Sequence, residues 1–130
     1  MKRIRQFGDD TRGATAVEFA LILVPLILLI FGLIEFGRAI HVRNAMDNAI
    51  DHGQRMIIID PSVSNPDLTT RIRQNFLAGD PQGLAVSVTD TTSSGTSYRL
   101  INLTYNIELL LPFTLGRDIE LQMNRQVVVP

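Results

Sequence analysis

The chain has 130 residues, a formal net charge of -1 at pH 7 and no cysteine, with a sequence pI of about 6.1. These values exclude disulfides, thiolate metal sites and cysteine nucleophiles, and they offer no basic excess for nucleic acid or an anionic membrane surface. The length suits one domain, but the first third is so apolar that the folded domain is predicted to begin after it.

Residues 1–12 form a short basic leader with Lys2, Arg3, Arg5 and Arg12 against Asp9 and Asp10. Residues 19–34 then carry no charge and are dominated by Leu, Ile, Val and Phe. At 1.5 Å per residue this run reaches about 24 Å, short of a hydrocarbon core of about 30 Å. A span therefore takes in residues 14–17 or places Glu35 at the interface. A buried core helix is the alternative, but the run is apolar on all faces and little chain remains to surround it. A secretory signal peptide is the other, with Gly37-Arg38-Ala39 imitating a small-x-small cleavage site. The basic flank puts residues 1–12 in the cytoplasm and residues 38 onward outside it. Pro25 removes one helix hydrogen bond and predicts a bend.

Glu18 stands at the start of this run. A charge at the centre of a span costs about 2.5 to 3.5 kcal/mol, and less near an end. A glutamate in a first helical turn is favoured by the macrodipole by about 0.3 to 1 kcal/mol. Position alone therefore leaves a functional role and headgroup solvation as equal readings. The pattern around it is more specific: a basic leader ending at Gly13, four small or apolar residues from Ala14 to Val17, then Glu18, Phe19 and the apolar helix.

This arrangement resembles the processing site of type IV prepilins, and Glu18-Phe19 after Gly13 looks most like the tight-adherence (Flp-type) branch. There, cleavage follows a glycine, a glutamate is fifth in the mature chain, and the helix first anchors the subunit and later packs in a filament core. The resemblance implies a TadE-like minor pilin or pseudopilin, cut by prepilin peptidase between Gly13 and Ala14, with Glu18 and Phe19 in subunit docking. The implied divisions are a leader at 1–13, a transmembrane helix at 14–37 and an exported α+β domain at 38–130. The implied partners are prepilin peptidase, other pilin or pseudopilin subunits and the inner-membrane assembly platform. The implied location is the bacterial inner membrane, single-pass, with the C-terminal domain in the periplasm. Entry into the filament, capping it and staying in the membrane all remain open. Ala14 departs from the phenylalanine that begins many mature type IV pilins, so N-methylation is not carried over. A type II secretion pseudopilin and a plain single-span anchor for a periplasmic binding module are the rivals.

No helix breaker interrupts residues 36–50, so the helix is predicted to continue. Ala39, Val42, Met46, Ala49, Gly53 and Met56 follow a 3,4,3,4,3 spacing, one apolar stripe against polar neighbours. Asp51 and Arg55 are spaced for an i,i+4 pair. His41 and His52 lie about 16 Å apart on one straight helix, too far to share a metal ion. Residues 60–67 read as a loop, after which Asn65 can cap and Pro66 can open a short helix carrying Leu68, Ile72 and Phe76, closed by Gly79. Arg71 and Arg73 read as its solvated face.

The period then becomes two. Leu84, Val86 and Val88 alternate; residues 90–97 read as a turn; Ile101, Leu103, Tyr105, Ile107 and Leu109 alternate; and Ile119, Leu121, Met123, Val127 and Val129 form a third run. The predicted fold is α+β: a long N-terminal helix packed on a small C-terminal antiparallel sheet in meander order, with one short extra helix, as in pilins and pseudopilins. Residues 109–113 are apolar enough to enter the core or to contact a partner. No P-loop, dinucleotide glycine motif, Gly-x-Ser-x-Gly elbow or His-Glu-x-x-His occurs. No enzyme activity, cofactor, metal, nucleic acid or small-molecule substrate is expected.

Overall fold

The computed structural model describes residues 11–110 and 118–130. The first ten residues of the leader, and Leu111, Pro112 and Phe113 of the apolar 109–113 segment, lie outside the described residues. The elements are α1 (Thr11–Ile59), α2 (Asn65–Gln74), a 3-10 turn (Pro81–Gly83), β1 (Ala85–Ser93), β2 (Thr96–Glu108) and β3 (Asp118–Val128). The strands form one antiparallel sheet in the order β1-β2-β3. The fold is therefore the predicted α+β arrangement.

The chain divides into two units, Met1–Glu35 and Phe36–Pro130, with α1 running through both. In the second unit, the helical stripe is where its spacing puts it. Val42, Met46, Ala49 and Gly53 are buried, with Ala39 and Met56 half-buried. Ala45, Ile50 and Ile57 widen it into a face. This face shares one core with Leu68, Ile72 and Phe76 and with the inward-facing Ile101, Leu103, Ile107 and Val127 of the sheet. Fully burying a Leu, Ile or Met side chain contributes about 1.5 to 3 kcal/mol, and nine large side chains here are essentially inaccessible, so this core carries the stability of the unit. Small residues bring the elements close. A Cβ at Gly53 would lie 2.7 Å from Ile72 Cδ1 and 3.5 Å from Ile101 Cδ1.

Register explains the sheet's two faces. Val88 pairs with Ile101 and Val86 with Leu103, while Leu103 pairs with Met123 and Tyr105 with Leu121. Two arginines occupy slots on the same covered face: Arg99, opposite Val127, and Arg125, opposite Ile101. Each is met by oxygens. Arg99 Nε donates to Asp90 Oδ1 at 2.7 Å and its Nη1 to the Val63 carbonyl at 2.9 Å, while Asn65 Nδ2 donates to Asp90 Oδ2 at 3.0 Å. The network ties the start of α2 to the β1-β2 hairpin. Arg125 reaches Asp51 at 3.2 Å and Asp47 at 3.4 Å on α1. Asp51 thus pairs across to β3, and the expected pair with Arg55 is not formed among the described residues.

Three further expectations change in detail. The α2 N-cap is Ser64, one residue before Asn65: Ser64 Oγ accepts from the Asp67 N–H at 3.2 Å and donates to Asp67 Oδ2 at 2.6 Å. Helix α2 ends at Gln74, and Arg73 is half-buried with Nε donating to the Leu84 carbonyl at 3.1 Å, so it is not a solvated side chain. Residues 90–97 are mostly strand, because the pairing runs out to Ser93 and Thr96. Only Ser94 and Gly95 turn, both with positive φ (51° and 81°), as a two-residue hairpin loop of the primed kind demands.

Gly79 does not end α2; it makes room for an aromatic ring. Its φ is +95°, and a Cβ there would strike the Tyr105 hydroxyl. Tyr105 also packs on Phe76, with ring centroids 5.0 Å apart. Replacing Gly79 with Ala combines a left-handed backbone penalty with overpacking, and is expected to destabilise the protein by about 2 kcal/mol or more, read as a lower thermal midpoint of the detergent-solubilised chain. The Asp90 network predicts a pH signature. The hydrogen bond from Arg99, then that from Asn65, holds the Asp90 carboxyl below its usual range. A depressed carboxylate contributes stability above its unfolded pKa of about 3.9 that is lost as pH falls through the folded value. Asp90→Asn should therefore be less stable than the parent near pH 7 in denaturant unfolding, with the gap closing as pH drops toward about 2.

Candidate functional site

The residues singled out by the prepilin-like pattern lie together on α1. Gly13, Ala14, Glu18 and Phe19 are all helical and all exposed, Phe19 by 62%. Ala14 and Glu18 are four positions apart, which on an α-helix is one face and a rise of about 6 Å. Phe19 is one position further, turned about 100° away. Among the described residues, a Cβ at Gly13 would meet nothing within 4 Å. Glu18 makes no ion pair among the described residues.

The stretch that follows leaves its apolar side chains uncovered. Val17, Leu21, Ile22, Val24 and Leu33 are each 60% exposed or more. A buried core helix would show the reverse. By length and composition the helix can cross a membrane, and none of its most apolar window is covered by the rest of the chain. Exposing this much contiguous apolar surface to water is unfavourable at about 25 cal/mol per Å², so lipid or other protein must take it up. The helix continues through Pro25, which has no N–H to donate to the Leu21 carbonyl one turn earlier. Glu35, at the other end of the uncharged run, is only 6% exposed and has a polar partner.

The second unit has a cleft of about 380 Å³ lined by Arg38, His41, Gly79, Tyr105 and Glu108 among others. Arg38 Nη1 donates to the Glu108 carbonyl at 3.3 Å on its wall. The lining comes from three distant stretches of chain, so no local motif announces it. His41 lines this cleft while His52 lines another with Asp51 and Arg55, and among the described residues no group of three or more His, Cys, Asp or Glu could hold a metal ion. Several carboxylates outside the span serve structural ends, Asp47 and Asp51 by meeting Arg125 and Asp90 by meeting Arg99. Asp60, for example, is held below the usual range by the Ser62 hydroxyl and then the Ser62 N–H, in the turn that ends α1.

Residues 13–55 match the family model described as TadE-like protein, a match that lies wholly within α1 and is consistent with a TadE-like pilin of the tight-adherence pilus system. It begins at Gly13 and takes in both the exposed apolar stretch and most of the amphipathic stripe. That family is a structural one related to pili. No curated protein and no solved structure matches the chain.

Proposed function

We propose that this protein is a minor pilin or pseudopilin that acts in assembly of a tight-adherence pilus. Residues 1–13 are its leader, removed by prepilin peptidase between Gly13 and Ala14. Residues 14–37 anchor it in the inner membrane, and residues 38–130 are its periplasmic domain. The observation that carries this reading is the helix itself: a segment matching the TadE-like family, uncovered along its apolar length, with a carboxylate near one end. A major pilin of such a system is little more than a helix, so the added sheet and α2 argue for a minor or accessory subunit working with other pilins and the assembly platform.

The chemistry of Glu18 follows from the cut. Cleavage creates an α-amino group of pKa about 7.7 to 8.0 on Ala14, four residues before the carboxylate. Within a subunit, or between one subunit and its neighbour, the two charges neutralise each other, which is what makes charge tolerable away from water.

The intact mass and N-terminal sequence of the protein from its native membrane, with and without a working prepilin peptidase, test the processing step. A peptidase-dependent start at Ala14 is expected; a start at Met1 or Ile40 would replace this reading with a plain anchor or a secreted protein. Glu18→Gln is expected to leave insertion and leader removal intact while weakening co-purification of partner pilins several-fold. Undiminished association in that variant would remove the docking role.

A further inference from the structure

The bond assigned to the peptidase lies inside a helix. Residues on both sides of Gly13–Ala14 belong to α1, and in an α-helix the Gly13 and Ala14 carbonyls accept from the N–H groups of Val17 and Glu18. A peptidase acts on a bond presented in extended chain, so those hydrogen bonds must break first. Where opening is fast relative to cutting, the cleavage rate follows the population of the opened form.

The glycine bears on that population. Gly53 and Gly79 have steric reasons to be glycine, since a Cβ at either meets Ile72 or Tyr105. Gly13 has none among the described residues, because a Cβ there meets nothing within 4 Å. What it does to a helix is weaken it, by about 1 kcal/mol relative to alanine. We propose that Gly13 is a weak point built into α1, which lowers the free energy of unwinding the turn that holds the scissile bond and so sets the rate of leader removal. This rests on the reading of Gly13–Ala14 as the processed bond, and it assigns the glycine a conformational task separate from any fit to the peptidase's pocket.

Helix strength can be changed without touching either residue of the bond. Ala16 is exposed and lies in the same turn, so Ala16→Gly weakens the helix while leaving Gly13, Ala14, Glu18 and Phe19 in place. The full-length precursor is inserted in phosphatidylethanolamine–phosphatidylglycerol vesicles and treated with purified prepilin peptidase. The initial cleavage rate is read by intact mass, and amide hydrogen exchange at residues 14–18 is followed in the uncut precursor. Expected are a rate up to about fivefold slower for Gly13→Ala and up to about fivefold faster for Ala16→Gly, with the double variant near the parent, each change being the equivalent of about 1 kcal/mol in opening. Exchange at residues 14–18 should move in the same order. An unchanged rate for Ala16→Gly despite faster exchange overturns the inference and leaves the processing reading standing, as does a double variant no faster than Gly13→Ala. Failure of the peptidase to cut the parent chain at Ala14 overturns both.

Discussion

One helix has to meet two different surroundings, and the composition of its two halves follows from that. Over residues 19–34 α1 is uncharged and apolar around its circumference, and its most apolar window is unburied among the described residues. From Phe36 onward it shows one buried face and one polar face. The buried face mixes small residues, Ala45, Ala49 and Gly53, with the larger Val42, Met46, Ile50 and Ile57. Small residues let backbones approach, and Gly53 lies so close to Ile72 that a side chain there would displace it. The sheet and α2 thus pack on a helix surface that mixes small residues with large ones, Met46, Ile50 and Ile57 of α1 being as fully buried as the Leu68, Ile72, Ile101 and Leu103 side chains that cover them.

Charge is used inside this arrangement to set register. Arg99 and Arg125 stand on the covered face of the sheet, where apolar residues alone would suffice for burial. Arg99 fastens the hairpin to the loop before α2 through Asp90 and the Val63 carbonyl, and Arg125 fastens β3 to Asp47 and Asp51 of α1. The exposed partners make these pairs modest in energy. Their geometry is nonetheless selective: a one-residue slip of either strand would turn its arginine to the opposite face and away from its partners. Ser64 and Asp67 contribute a similar local constraint at the start of α2 by capping each other.

The sequence announces elements whose pattern is periodic and contiguous, and it hides those that depend on distant partners. The α1 stripe was legible because its spacing holds over several turns, and the strands because Val86, Ile101, Leu103 and Met123 alternate cleanly. The far end of the hairpin, residues 90–97, was not, since Ser and Thr stand on both faces there and leave no alternation to read. Arg125 interrupts its strand's apolar series, and the Asp47 and Asp51 carboxylates that meet it on the covered face lie on a distant stretch of chain that no local pattern reveals. Asn65 and Ser64 are both good caps. Ser64 takes the cap, while the Asn65 side-chain nitrogen donates to Asp90, a contact across 25 positions. The residues proposed for processing and docking, Gly13, Ala14, Glu18 and Phe19, were legible for the same reason as the stripe: they are neighbours in one stretch. The cleft at Arg38, Tyr105 and Glu108 was not, being assembled from separate stretches.

The two carboxylates that bracket the uncharged stretch of α1 are handled differently, and the difference points outward. Glu35 is buried and has a polar partner within the chain. Glu18 is exposed and makes no ion pair among the described residues. A carboxylate beside a surface that must be covered by lipid or protein is tolerated only where water, headgroups or an opposite charge reaches it. For Glu35 the molecule supplies that partner. For Glu18 no ion-pair partner is found among the described residues, and the α-amino group that the proposed cleavage would leave on Ala14, one helical turn away on the same chain or on a neighbour's, would meet the requirement in charge and in reach.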